Sequence, residues 1–230
     1  MAFIPHRTPA AAALVLLSVT GVAMVTAAAS PPAPSPSGTS QKFTAIVTPV
    51  SPDQLRYSWR RGCPVQPDDL RMISMTYWGF DGRPHTGKLV VNESVTNQVV
   101  SVFKMLYGHR FPIRQMQPVD VYKGSDDASM TADNTSAFNC RHVKTTGTWS
   151  QHAYGLAIDV NPRENPYIHP YPGGTIDPTN AKGYVQRPLN RPGVINPADD
   201  VVRAFKKIGW GWGGSWSGEK DYQHFSQNGR

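Results

Sequence analysis

The stretch SQHAYGLAIDVNP, Ser150 to Pro162, places a histidine, a glycine and an aspartate close together. His152 and Asp159 are an odd number of residues apart, so one continuous strand would point them to opposite faces. A turn ending at Gly155, followed by a strand over Leu156–Asp159, swings Asp159 back towards His152. The stretch therefore predicts either half of a metal site or a buried histidine near an unrelated loop acid.

A metal site needs at least a third protein ligand, and the segment GWGWGGSWSGEKDYQHF, Gly209–Phe225, offers one. His224 lies in its short aromatic end, and Asp221 precedes it by three residues. In such a pair the imidazole binds the ion while the carboxylate reaches the reacting water, which makes Asp221 a candidate general base. Taken singly, each histidine can equally be a packed or surface residue, Asp159 a turn acid and Asp221 a solvated acid.

The N-terminal sequence indicates that the protein is exported. Arg7 precedes an apolar run over Ala10–Ala29 that ends in small residues, so residues 1–29 are predicted to be a signal peptide. An uncleaved N-terminal anchor is the alternative. The Pro- and Ser-rich residues 30–50 are predicted to be a spacer, which leaves 51–230 as one domain with its own core.

The formal net charge of +7 fits attraction to an anionic wall or membrane surface, and it fits ordinary solubility equally well. Nucleic-acid binding is not expected, because the basic residues are scattered as in Arg60-Arg61 and Lys206-Lys207. We expect a monomer that lies outside the cytoplasm, secreted or at the cell wall, with no membrane span once the leader is removed.

Cys63 and Cys140 are the only cysteines, and an exported chain with such a pair is expected to join them in a disulfide. Closing so long a loop contributes about 4 kcal/mol in the chain-entropy model. The alternative is that both cysteines bind zinc, although neither belongs to a Cys-x-x-Cys pair.

The remaining pattern is typical of mixed α and β structure. Strands are expected at Arg71–Met75 and Leu89–Val91, and helices at Val95–Tyr107 and Pro197–Ile208. The Pro- and Asn-rich residues Asn161–Asn196 are expected to form a long ordered loop. Four further histidines lack an acid or a second histidine at ligand-like spacing, and we expect them to be packing or surface residues: His85, His109, His142 and His169.

The two motifs resemble a known family. Residues Ser150–Asp159 match S-x-H-x-x-G-x-A-x-D, which is the signature of the zinc D-alanyl-D-alanine carboxypeptidases and dipeptidases. That family includes the vancomycin-resistance enzymes and the phage L-alanyl-D-glutamate endolysins. Residues Asp221–His224 match its closing E/D-x-x-H element, and the order and separation of the motifs agree. The resemblance extends loosely over Leu70–Phe225.

The resemblance implies a Zn²⁺ ion bound by His152, Asp159 and His224. It implies that Asp221 activates the reacting water, although many members have Glu there and Asp is similar to the endolysin branch. An upstream arginine of the family stabilises the carbonyl oxygen as it becomes anionic, and Arg141 is the candidate for that role.

The chain departs from the family around this arginine. Only His142–Trp149 separates Arg141 from the first motif, where a helix is usual, so Arg114 is kept as an alternative. Ser150 and Tyr154 are expected to contact substrate, and Ser150 can also hydrogen-bond a ligand residue.

By resemblance, the fold is α+β: a small antiparallel sheet carries the zinc site, helices pack on one side, and the long loop borders the cleft. The segment Trp210–Trp216 is expected either to line that cleft or to place tryptophans in the core.

The implied function is hydrolysis of the peptide stems of peptidoglycan, as a D-alanyl-D-alanine carboxypeptidase. The alternative within the family is an L-alanyl-D-glutamate endopeptidase. The hedgehog signalling domains resemble the family in fold and zinc site but act as binding partners, so a non-catalytic, zinc-stabilised wall-binding module is a rival. Asp221 argues against that rival, because a structural zinc needs no base. The last alternative is a secreted α+β protein without a metal.

Overall fold

The chain folds into short antiparallel sheets against which α-helices pack. The computed structural model describes residues 1–3, 41–144, 146–170 and 174–230, so the predicted leader beyond residue 3 and the spacer up to residue 40 lie outside the described residues. The strands are β1 (Ala45–Pro49), β2 (Leu70–Trp78), β3 (Pro84–Asn92), β4 (Gln115–Met116), β5 (Asn134–Thr135), β6 (Ala157–Asp159), β7 (Tyr167–Ile168), β8 (Ile176–Asp177), β9 (Gly211–Trp212), β10 (Lys220–Asp221) and β11 (His224–Ser226), and the helices are α1 (Thr96–Gly108), α2 (Asp126–Thr131) and α3 (Asp200–Lys207).

The longest strands form the antiparallel sheet β1-β2-β3. The predicted strands at Arg71–Met75 and Leu89–Val91 are confirmed, and each lies within a longer strand, β2 or β3. The spacer predicted for residues 30–50 is wrong at its end, because β1 pairs along its whole length with β2. The Pro- and Ser-rich composition that suggests a spacer ends before Ala45, and β-branched residues follow it.

Both predicted helices are confirmed as α1 and α3, with shifted ends. Helix α1 packs against β2 and α3, while α2 packs against β5 and β8. Phe205 of α3 stacks on Phe225 of β11 with ring centroids 4.0 Å apart, and both rings are fully buried. This stacking fixes β11 against the helical side of the core.

The expected mixture of α and β structure is confirmed, and the small antiparallel sheet expected to carry the site is one of several sheets. The described residues form four sheets: β1-β2-β3, β6-β11-β9, β10-β7-β8 and the parallel pair β4-β5. Single-sequence periodicity misses most of them, because strands of two or three residues are too short for an alternating pattern to be recognised.

The sheet β6-β11-β9 carries two of the predicted ligands. Strand β11 pairs antiparallel with β6 in a register that sets His224 opposite Asp159 and Phe225 opposite Ile158. Because successive side chains alternate between faces, the two apolar residues enter the core while the histidine and the aspartate share the other face.

The long segment Asn161–Asn196 is held by its own polar side chains. Asn165 is fully buried, donates to the carbonyls of Val160 (3.1 Å) and Gly193 (2.9 Å), and accepts from the Ile195 amide (2.8 Å). These bonds tie the beginning of the segment to its end. Strands β7 and β8 and a short 3-10 helix at Thr179–Tyr184 lie between them.

A buried pair of acids holds the same segment to the strand β5 region. Asp133 and Glu164 are 2% and 0% exposed. The Arg163 amide donates to Asp133 (3.0 Å), and the Arg163 guanidinium donates to Glu164 (2.7 Å). The Arg114 guanidinium lies 3.6 Å from Asp133. Burial, followed by the hydrogen bond to Glu164 and its charge, raises the pKa of Asp133 to about 7, against the opposing effect of Arg163.

This acid pair predicts a pH-dependent stability. Between about pH 4 and about pH 7 the folded protein holds a proton on Asp133 that the unfolded chain has released, so raising the pH lowers the free energy of unfolding. The loss is at most about 1.4 kcal/mol per pH unit. In Asp133→Asn the amide keeps a donor towards Glu164, and urea unfolding of the metal-free protein is expected to lose this part of the slope. An equal slope in wild type, Asp133→Asn and the exposed control Asp53→Asn would contradict the assignment.

The predicted disulfide joins Cys63 to Cys140 in the structure, with Cα atoms 5.9 Å apart. Its surroundings form a second apolar cluster that includes Leu55, Leu70 and Phe138. The Cys140 amide also donates to the Ser58 carbonyl at 2.8 Å. The link therefore anchors the segment that leads into Arg141 to the N-terminal part of the domain.

Gly155 allows the turn between His152 and Asp159. Its φ is +68°, in the left-handed region that favours glycine, and its carbonyl accepts from the Asn92 amide at 3.0 Å. A Cβ there would lie 2.6 Å from the Asn92 nitrogen and 3.1 Å from the Leu70 side chain. The predicted turn at this glycine is confirmed, and it is required both by backbone conformation and by space.

Gly155→Ala is expected to destabilise the fold for both reasons. Gly82 provides a matched control, because its φ of +70° is similar while nothing lies within 4 Å of its Cβ position. Gly82→Ala should cost about 1–2 kcal/mol for the backbone alone. Gly155→Ala should cost about 1–3 kcal/mol more from overpacking against Asn92 and Leu70. Urea unfolding measures both, and equal costs would contradict the close packing.

No described helix has the length and apolar character needed to cross a bilayer.

Candidate metal centre and its cleft

Three side chains converge at one buried point. His152 Nε2 lies 3.1 Å from Asp159 Oδ2, His224 Nδ1 lies 3.1 Å from Asp159 Oδ1, and the two imidazole nitrogens are 3.2 Å apart. All three residues are at most 6% exposed. Among the described residues this is the group of histidine, cysteine and acid side chains arranged to hold a metal ion, so the structure brings the three predicted ligands together.

His152 is oriented from two sides. It lies in the 3-10 helix Gln151–Tyr154, where the Ser150 hydroxyl accepts from the His152 amide at 3.3 Å. His152 Nδ1 lies 2.6 Å from the Ala137 carbonyl oxygen, which can only accept, so Nδ1 is the donor. This bond fixes the tautomer and leaves the Nε2 lone pair facing Asp159 and His224.

Asp159 is fixed by backbone pairing on both sides of its strand. Strand β6 pairs with β11 along one edge. Along its other edge, the Asp159 amide donates to the Ser136 carbonyl at 2.9 Å, and the Ser136 amide donates to the Asp159 carbonyl at 3.0 Å. The position of the Asp159 carboxylate therefore depends on β6 being paired with β11 on one side and with Ser136 on the other. Neither Ser136 nor Ala137 carries a recognisable motif, which is why the sequence does not reveal this support.

The electrostatics of the cluster favour a cation. Burial alone would raise the pKa of Asp159, but the neighbouring His152 and His224 imidazoles outweigh it and hold that pKa below the usual range. Burial lowers the pKa of His152, and the charge of Asp159 outweighs this and raises it. A buried carboxylate facing two imidazole nitrogens is a donor set for a divalent metal such as zinc, so the residues present fit the ion that the family resemblance implies.

Asp221 lies beside this cluster on β10. Its Oδ1 is enclosed and has no hydrogen-bond partner among the described residues. Burial raises the pKa of Asp221 to about 7, with the nearby His224 and Arg141 opposing the shift and Asp159 adding to it. Gly213 packs closely over it, since a Cβ on Gly213 would lie 2.8 Å from that of Asp221. The glycine-rich segment therefore positions the acid, a role that its composition alone does not reveal.

Of the two candidate arginines, the structure places Arg141 in the cleft. Its guanidinium lies 3.0 Å from Asp126 at the start of α2, and its Nε is buried without a partner among the described residues. Arg114 lies over the Phe80 ring at 4.1 Å and next to Asp133, and it is not among the residues that line the cleft.

The cluster opens into a cleft of about 390 Å³. Ser150 and Trp216 line it, while Trp210 and Trp212 are buried in the core. Both expectations for the segment Trp210–Trp216 therefore hold for different tryptophans.

Several cleft residues are not identified from the sequence. His169, expected to be a packing or surface residue, lines the cleft with Nε2 2.9 Å from Asp177, and the Tyr167 hydroxyl donates to Glu219 at 2.6 Å. They meet through the sheet β10-β7-β8, in which β10 is far in sequence from β7 and β8. Of the other three histidines, His85 and His109 pair with surface acids and His142 stacks on Trp149, so none joins the cluster.

Tyr154 does not reach the cleft. Its side chain packs on the apolar cluster around the disulfide, with Trp59 and Trp149. The 3-10 helix turns His152 towards the metal centre and directs Tyr154 away from it. This placement does not support the predicted contact of Tyr154 with a substrate.

Comparison with known protein families agrees with this site. Residues 144–227 match the family model described as D-alanyl-D-alanine carboxypeptidase. Over this segment the chain is similar to that family. The matched segment includes the three clustered residues and Asp221, while Arg141 lies just before it. Comparisons with curated proteins and with solved structures gave no match.

The family match and the buried cluster together predict metal-dependent stability. Zinc added to the metal-free full chain should bind once per chain and raise the melting temperature. At a hundredfold excess over the dissociation constant, the gain is about 2.7 kcal/mol. His224→Ala should abolish this gain, while His85→Ala, at an exposed histidine, should keep it. Calorimetry with added zinc measures both, and an unchanged gain in His224→Ala would exclude this centre.

Proposed function

We propose that this chain is a secreted zinc peptidase that hydrolyses peptide stems of peptidoglycan, acting as a D-alanyl-D-alanine carboxypeptidase. The observation that carries the proposal is the buried cluster of His152, Asp159 and His224, with Asp221 beside it in one cleft. The family description of residues 144–227 supports the reaction class. The disulfide between Cys63 and Cys140 supports an oxidising compartment outside the cytoplasm.

His152, Asp159 and His224 would hold the zinc ion. When bound, zinc supplies Lewis acidity for the scissile carbonyl and for the attacking water. The chain's part is to present a free imidazole nitrogen and a charged carboxylate to the ion. The bond from His152 Nδ1 to the Ala137 carbonyl directs Nε2 towards the ion, and the low pKa of Asp159 keeps its carboxylate charged.

Asp221 moves the proton. Its carboxylate takes a proton from the attacking water and returns it to the nitrogen of the leaving amino acid, so the peptide C–N bond breaks and a neutral amine leaves. Burial brings its pKa close to neutrality, where a group can both accept and donate a proton. A cation at the cluster lowers that pKa and increases the share of the basic form at neutral pH.

Arg141 holds the carbonyl oxygen as negative charge develops on it. Asp126 fixes one side of the guanidinium, and the buried Nε remains available for the oxygen. A donor held in place before the reaction stabilises this charge without reorganisation. Ser150 and Trp216 line the path of the peptide.

The assignment to a proton-transfer role predicts the behaviour of Asp221→Asn. The amide keeps the shape of the carboxyl group but cannot accept a proton, so kcat should fall by about 10²–10⁴ while zinc content stays at one per chain. Mass spectrometry of a pentapeptide-stem muropeptide incubated with the zinc-loaded full chain measures the product, with the exposed Asp53→Asn as control.

The products also separate the alternatives. Loss of one terminal alanine by wild type supports the carboxypeptidase, and release of the stem beyond L-alanine would identify an endopeptidase instead. No cleavage by wild type, with zinc bound, would contradict the enzyme and favour a zinc-stabilised wall-binding module. Cleavage by Asp221→Asn at the wild-type rate would exclude this residue as the base.

A further inference from the structure

Gln223 has a polar side chain that the mechanism above does not use. The residue lies between Asp221 and His224, is 2% exposed, and lines the cleft. The Val160 amide donates to the backbone carbonyl of Gln223 at 3.0 Å, which fixes the backbone at this residue. Gln223 therefore lines the same cleft as the proposed base and ligands, and it is the sequence neighbour of one of those ligands, His224.

The carboxamide of Gln223 is almost unpaired among the described residues. Its Oε1 has no partner among the described residues, and Nε2 contacts only the thioether sulfur of Met130 at 3.6 Å. Sulfur is a weak acceptor, while a carboxamide offers two donors and two lone pairs. Exchanging the oxygen and nitrogen would leave the NH₂ group without a partner instead, so the deficit does not depend on which way the amide is turned.

Such a group is costly unless a ligand pairs with it. Buried polar side chains in folded proteins almost always find a hydrogen-bond partner, and an apolar side chain of the same length would fill this space without that cost. The terminal torsion of glutamine has a broad energy profile, so rotation presents either the oxygen or the NH₂ group to the cleft. The location of the unpaired amide therefore points to a ligand in the cleft.

We infer that Gln223 binds a peptide group of the substrate, at the bond immediately N-terminal to the scissile one. A peptide group presents one donor and one acceptor, which complement the two ends of a carboxamide. Gln223 lines the same cleft as Asp221 and His224, and a carboxypeptidase substrate has no peptide group C-terminal to the scissile bond, so the peptide group within reach lies on the N-terminal side. This inference rests on the proposed function and makes Gln223 a specificity-determining residue for an unbroken peptide chain.

The test pairs an enzyme variant with a substrate variant. Gln223→Met keeps the length of the side chain and removes its hydrogen bonds, and Gln98→Met on the exposed face of α1 is the matched control. The substrates are a pentapeptide stem and its analogue with an ester in place of the amide just N-terminal to the scissile bond. Each zinc-loaded full chain is assayed for KM and kcat with both substrates, and its zinc content is measured.

Wild type and Gln98→Met should show a KM roughly tenfold higher for the ester than for the amide, which is the usual effect of one lost hydrogen bond. Gln223→Met should raise KM for the amide by a similar factor, leave kcat and zinc content unchanged, and no longer distinguish the two substrates. Gln223→Asn, which keeps the amide but shortens its reach, should also lose the discrimination and covers the case in which the Met variant is unstable.

Discrimination in both Gln223 variants equal to that of wild type would overturn the inference and leave the proposed function intact. A fall in kcat at constant KM would also overturn it, because Gln223 would then act by positioning Asp221 or His224. Absence of cleavage by wild type itself would contradict the proposed function, and the inference would fall with it.

Discussion

The pairing of β6 with β11 in one register is the constraint on which the site depends. It sets Asp159 opposite His224 and, on the other face, Ile158 opposite Phe225. Because a shift of one residue would exchange the two faces, burial of the apolar pair in the core fixes the polar pair in the cleft. The stacking of Phe225 on Phe205 connects that register to α3 and to the main core. The geometry of the site is therefore maintained by packing well outside it.

The charges of the cleft impose a second constraint. Outside the metal cluster, the charged groups of the cleft lie close to partners: Arg141 to Asp126, and Arg230 to Glu219 at 3.6 Å. Within the cluster, two imidazoles face a buried carboxylate, and Asp221 adds a second acid beside the cluster. A divalent cation held there would balance these acids within a low-dielectric environment. The proposed reaction uses the same acids and would use the same ion, so one arrangement meets both the charge balance and the chemistry.

The sequence predicts those parts of this arrangement that local chemistry encodes. His152, Gly155 and Asp159 lie in one short motif whose turn is dictated by a glycine, and the Cys63 to Cys140 link follows from a single cysteine pair. The short sheet that brings His169 and Asp177 into the cleft has strands too brief for a periodic signal. Tyr154 packs on the cluster around the disulfide, and its position in the motif does not reveal which way a 3-10 helix directs its side chain. Tertiary packing decides both.

X-ray absorption spectroscopy at the zinc edge of the zinc-loaded full chain tests the metal centre itself. We expect nitrogen and oxygen neighbours only, at about 2.0–2.2 Å, with the multiple-scattering pattern of two imidazoles. In His224→Ala the pattern should reduce to one imidazole or the zinc should be lost. A sulfur neighbour at about 2.3 Å, or a wild-type spectrum without imidazole scattering, would show that the ion binds elsewhere and would contradict the metal centre.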